Sequence, residues 1–153
     1  MKKLFLVFIL LVLATSGCIV QINSNYNQTF GGPYIGDIPV YPNAREINLP
    51  DALKQEISKD MGFDVSSCTI KTYFTDGKAE DVISWYSSNM NGFEKTHEEV
   101  VDSKDNPGKK EGSIFFTKED RGVMVIAAPS TDIHLATGET LLIIGNCPAS
   151  VFE

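Results

Sequence analysis

Few side chains in this 153-residue chain have types and spacings that suggest chemistry. His97 stands among Glu94, Glu98 and Glu99, a grouping that could hold a metal or move a proton, although a histidine on a polar strand is ordinarily just solvated. His134 follows Ser130-Thr131-Asp132-Ile133, a faint echo of a hydrolase triad. No Gly-x-Ser-x-Gly elbow accompanies it, and triads are assembled from residues distant in sequence. Asp102-Ser103-Lys104-Asp105-Asn106 supplies oxygen ligands, but a calcium loop alternates Asp and Asn, then closes with Gly and a later Glu. Lys104 in its middle would repel the ion, so a charged turn is the better reading. Cys18, Cys68 and Cys147 form neither a CxxC pair nor a Cys/His spacing suited to zinc. Trp85 is the candidate binding-surface residue, because exposed tryptophans mark contacts. No catalytic residue, metal ligand or cofactor is assigned from these patterns.

The leader is more specific. Met1-Lys2-Lys3 precedes eleven apolar residues, Leu4 to Ala14, and then Thr15-Ser16-Gly17-Cys18. A charged start, a short apolar run and small residues make a secretory signal. The run falls short of the roughly 20 residues a bilayer crossing needs. Ser16-Gly17-Cys18 resembles the lipobox of prokaryotic lipoproteins, although Thr15 stands where that pattern has an aliphatic residue. The resemblance implies cleavage after Gly17 and lipidation of Cys18, with an acyl chain such as palmitate. One acyl chain binds a membrane only marginally, so stable attachment needs two or more. The alternatives are an ordinary cleaved signal that leaves Cys18 a free thiol, and an uncleaved anchor helix over Leu4–Val20.

Cleavage would leave 136 residues, enough for one domain with its own core. Loss of Lys2 and Lys3 takes the formal charge from −7 to −9, which argues against nucleic acid as a partner. With Cys18 lipidated, Cys68 and Cys147 remain as an even pair in an oxidising compartment, which favours a disulfide. The alternative is two buried free thiols.

Residues 18–36 are rich in Asn, Gln, Ser and Gly, the composition of a flexible tether. Asn27-Gln28-Thr29 within it is an N-glycosylation sequon, of consequence only in a host that glycosylates. The domain, 37–153, opens on Asp37–Ala44, where Pro39 and Pro42 enforce extended chain. Leu49, Leu53, Ile57 and Met61 give a narrow apolar stripe on a short helix. Ser66–Phe74 alternates as a strand. Thr75-Asp76-Gly77 is a turn in which Thr75 or Asp76 can cap the next helix. That helix, Lys78–Asn91, carries Ala79, Val82, Ile83, Tyr86 and Met90 on one face with Trp85 at its flank, and Gly92 stops it. Phe93–Val101 is a polar edge strand. Ser113–Lys118 and Gly122–Ala128 make a hairpin, and Glu139–Gly145 is a final strand. The expected fold is α+β: a single, mostly antiparallel sheet of about five strands with one long and one shorter helix packed on it. Both hairpin faces are apolar. Lys78–Asn91 can cover one, and either Leu49–Met61 with the Ile38–Tyr41 segment or a second subunit can cover the other.

The cysteines then fix a register. Cys68 lies at the start of its strand and Cys147 just past the end of the last one. In an antiparallel pair with the cysteines opposite, Ile70 faces Gly145, Thr72 faces Ile143 and Phe74 faces Leu141.

Ile38-Pro39-Val40-Tyr41-Pro42-Asn43-Ala44, Tyr73-Phe74-Thr75, Trp85-Tyr86 and Asn91-Gly92-Phe93 together resemble small uncharacterised domains of bacterial and archaeal lipoproteins. Asn43 stands where those domains carry glycine. The resemblance implies the extracytoplasmic face of a cell membrane and an α+β fold, with no assigned activity. The expected role is a lipid-anchored binding or envelope-assembly module whose partner is an unknown protein or envelope ligand. The alternative is a small extracytoplasmic enzyme using the 102–112 and 129–138 loops.

Overall fold

The computed structural model describes residues 34–49, 67–130 and 140–152. Cys18, Asn27, Asp132, His134 and the body of the expected Leu49–Met61 helix lie outside them. Among the described residues are eight strands and one helix of note: β1 Tyr34–Ile35, β2 Ile38–Pro39, β3 Arg45–Ile47, β4 Thr69–Thr75, α1 Ala79–Asn89, β5 Glu94–Asp102, β6 Lys110–Lys118, β7 Arg121–Pro129 and β8 Thr140–Pro148. A 3-10 turn follows at Ala149–Val151. β1 and β2 pair as a small hairpin, and the rest form one antiparallel sheet in the order β3-β4-β8-β7-β6-β5. The α+β class holds. The sheet has six strands because β3, three residues long, adds an edge beside β4.

Alternation explains the two faces. Val123, Val125, Ala127, Leu142 and Ile144 face α1, with Ile114 and Phe116 from β6. Val82, Ile83 and Tyr86 of α1 are fully buried against them, each worth about 1.5–3 kcal/mol relative to exposure. The helix approaches closely because β6 offers Gly112, where a Cβ would lie 2.8 Å from Ile83 Cγ1 and 2.9 Å from the Glu99 carbonyl. Met124, Leu141, Ile143 and Phe74 line the other face with Ile47 and Leu49.

The lead-in segment does not cover that second face as expected. Ile38 is fully buried in the α1-side core, with Val40 and Tyr41 packed beside it. Its course is set by a β-turn, Tyr41-Pro42-Asn43-Ala44, closed by the Ala44 N–H donating to the Tyr41 carbonyl at 3.1 Å. Proline presets the second position, and the third needs positive φ. Asn43 supplies it at φ 60°. Helix capping also differs from expectation. Lys78 is the N-cap residue and makes no side-chain cap bond. The Thr75 hydroxyl instead accepts the Gly77 N–H within the turn, and Asp76 lies 3.6 Å from Arg45. Gly92, at φ 79°, follows α1 and lets the chain reverse into β5.

Candidate functional site

The ladder β4–β8 places Ile70 opposite Gly145, Thr72 opposite Ile143 and Phe74 opposite Leu141, the register the cysteines predict. Cys68 and Cys147 are disulfide-bonded across it, their Cα atoms 4.3 Å apart. Directly opposed residues in a non-hydrogen-bonded pair stand about 4.5 Å apart, so the bridge fits the ladder without displacing it. Gly145 leaves space that Met124 and the Cys147 sulfur occupy, 3.1 and 3.7 Å from where its Cβ would lie.

Trp85 is half-buried on the flank of α1. Its ring meets Tyr41 edge-on, centroids 5.5 Å apart, and Tyr86 at 4.9 Å. The Tyr86 hydroxyl accepts the Tyr41 N–H at 3.2 Å, and burial pushes its pKa far above the usual phenol value. Trp85 thus wedges the lead-in segment against the helix, with part of its surface left in solvent.

The residues around His97 are not gathered. Alternation sends Glu98 to the α1 side, where Lys95 and Ser87 bind it and the Lys95 hydrogen bond holds its carboxyl below the usual range. His97 lies on the other side, opposite Phe115, with its Nε2 4.0 Å from Glu99. Among the described residues no three metal-ligating side chains converge. The 102–106 stretch is a charged turn. Lys110 binds Asp102 at 3.0 Å, the Ser103 N–H donates to the Lys109 carbonyl, and the Lys109 N–H donates to the Asn106 carbonyl.

Topology gives the sheet two unlike ends. One end carries the bridge and the turn Glu119-Asp120. The other carries the turn Asp76-Gly77, the 103–109 loop, the end of β7 and the start of β8. Beside them lie buried polar residues that sequence reasoning missed. Glu111 and Ser113 of β6 are 4% and 0% exposed, and Ser103 and Ser130, just beyond β5 and β7, are 5% and 7% exposed. Among the described residues the Ser103 and Ser113 hydroxyls have no hydrogen-bond partner, an expensive condition for buried groups. The signal was available in part: Glu111 and Ser113 share the apolar period of Phe115.

A second missed group lies at the disulfide end. Arg121 Nη1 donates to Asp37 Oδ1 at 2.8 Å, and its Nε and Nη2 reach Asn146 Oδ1 at 3.4 and 3.2 Å. Lys118 Nζ stands 3.6 Å from Asp37 Oδ2. Both cations lie over the Phe93 ring, 5.2 and 5.7 Å from its centroid. The Arg121 hydrogen bond holds the Asp37 carboxyl below its usual value.

No protein-family model matches the chain, and no solved structure matches it. It is similar to an uncharacterized protein of the archaeon Archaeoglobus fulgidus, 27% identical over 136 residues that cover 87% of this chain and 42% of the archaeal protein. The chain therefore spans less than half the length of that relative.

Proposed function

We propose that this chain is an extracytoplasmic module held on a cell membrane by lipid on Cys18, and that its body serves binding or envelope assembly. The observation that carries the reading is the Cys68–Cys147 disulfide. Such bridges persist in oxidising compartments and are rare in the cytosol, so the bridge and the secretory leader support the same compartment. The test is the intact mass of the membrane-extracted protein. Loss of residues 1–17 with added acyl mass is expected, and Cys18→Ser should abolish the acyl mass and block processing or release the chain. Normal processing and unchanged acyl mass in that variant would sink the lipid anchor. Retention of 1–17 without acyl mass would favour the anchor helix.

A second reading, a small extracytoplasmic enzyme, draws support from the buried Glu111 and Ser113 at the sheet end that carries the 103–109 loop. Hydrolysis of generic ester or glycoside reporters that Glu111→Gln abolishes, with the melting temperature kept, would favour it. Absence of turnover across such a panel would leave the binding module.

A further inference from the structure

The β6–β7 hairpin sets two like charges against each other. Lys118 and Arg121 are direct cross-strand partners at its tip, and both lie over the Phe93 ring. Opposed like charges weaken a hairpin, unless an anion stands between them. Here that anion is Asp37, in the bend of the β1–β2 hairpin, where Gly36 turns the chain at φ 66°. This mooring divides the carboxylate between the two cations. Oδ1 accepts from Arg121 Nη1, and Oδ2 lies 3.6 Å from Lys118 Nζ. The guanidinium is oriented by other groups. Its Nε and Nη2 both donate to Asn146 Oδ1, and the Phe93 ring stacks beside it. Neither partner carries a charge, so neither neutralises the cation. With Asp37 away, a charged and oriented fork remains, suited to an oxyanion. Asp37 itself is exposed, and the hairpin behind it closes through two residue pairs.

We propose that Lys118 and Arg121, with Asn146 and the Phe93 ring, form a receptor for an oxyanion group on a ligand, a carboxylate or a phosphate, and that Asp37 occupies it until the ligand arrives. The ligand's anion displaces the Asp37 carboxylate, takes over both cations and frees the β1–β2 bend. This gives the binding module proposed above a ligand chemistry and rests on that reading, while lipid on Cys18 is not required for it. The surroundings sharpen selection. The chain has 20 acidic against 13 basic side chains, and Glu119 and Asp120 are exposed in the turn beyond the two cations. They repel an anion that does not seat between Lys118 and Arg121.

The experiment uses the full chain in a non-ionic detergent at neutral pH and fixed ionic strength. Arg121 Nε–H and Phe93 ring resonances are followed as acetate, inorganic phosphate or chloride is added. Acetate, phosphate or both should saturate those signals, and which of them does so identifies the group. Chloride should not, because a spherical ion lacks the two oxygens that the cations share. Asp37→Asn keeps the shape and removes the competing charge. If Asp37 fills the receptor about nine-tenths of the time, that variant binds about tenfold more tightly than the native chain. Adding Arg121→Gln to Asp37→Asn should abolish saturation while the β4–β8 ladder signals stay in place. Equal affinity in the native and Asp37→Asn chains overturns Asp37 as the occupant. Chloride acting as acetate does overturns the receptor in favour of unspecific attraction. No saturation in either chain overturns the whole proposal and leaves a binding module with its contact elsewhere; turnover of the ester or glycoside reporters is what would remove that module.

Discussion

Removing the bridge is the sharpest test of what holds the sheet together. Cys68 and Cys147 are 79 residues apart in sequence. Closing a loop of that size in the unfolded chain removes about 4.5 kcal/mol of conformational entropy at 25 °C. The folded state adds little to this figure, because the opposed positions already stand at ladder distance. The double variant Cys68→Ala/Cys147→Ala should therefore lose about 4–5 kcal/mol, lowering Tm by roughly 15–25 °C. Its denatured state is freed from the cross-link and exposes more surface, so the urea m-value should rise. Cys147 is buried, and truncating it adds a small packing loss. Reducing the native protein with a small thiol isolates the cross-link from that loss, and its Tm should fall nearly as far. A drop under about 5 °C in both experiments would refute the reasoning. It would mean that the unfolded chain keeps β4 and β8 together without the bond.

Three further outcomes follow from geometry. Gly112→Ala should cost about 1–3 kcal/mol in denaturant titration, since its Cβ meets a strand carbonyl at 2.9 Å as well as the movable Ile83. Glu119→Gly should gain about 0.5–1 kcal/mol, because Glu119 sits at φ 56° without glycine's freedom. The Arg121 hydrogen bond chiefly holds the Asp37 carboxyl below the usual aspartate value, so its contribution is complete above the ordinary carboxylate range and is lost as pH falls through the lower folded-state value. Amide exchange in β1–β2 should accelerate there ahead of exchange in β7–β8, and Asp37→Ala should remove that step.

Much of the fold was legible because apolar periodicity is a strong signal. The stripe of Ala79, Val82, Ile83 and Tyr86 fixed α1, and the doubly apolar β7 and β8 announced a sheet covered on both sides. The cysteines gave the β4–β8 register because one covalent constraint sets a whole ladder. β3 was missed since Arg45-Glu46-Ile47 has no alternation long enough to count; it is held by tertiary partners, with Lys71 binding Glu46 and the Thr72 hydroxyl donating to the Ile47 carbonyl at 2.7 Å. Ile38 was assigned to the wrong face because an isolated apolar residue between turns has no period to orient it. Trp85 stands half-buried at the flank of α1, where the helical period puts it. Glu111 escaped notice because a buried carboxylate leaves no compositional mark, and in sequence it merges with the charged turn before it.

The mooring also decides how the body responds to a pull. Tension applied from the N-terminal side enters at Tyr34 and loads the two-residue β1–β2 pairing as a peel, one contact at a time. If Asp37 lets go, the lead-in segment and then the short β3 strip away in sequence. The unravelling stops at Cys68, where the covalent bond passes the load straight to β8. The slack released up to that point is bounded by the 34–67 contour, on the order of 110–120 Å, and a force–extension trace should show that step and then a stiff plateau until the sheet itself shears. The N-terminal third of the domain is thereby a shock absorber of fixed stroke in front of a sheet that the same force leaves intact.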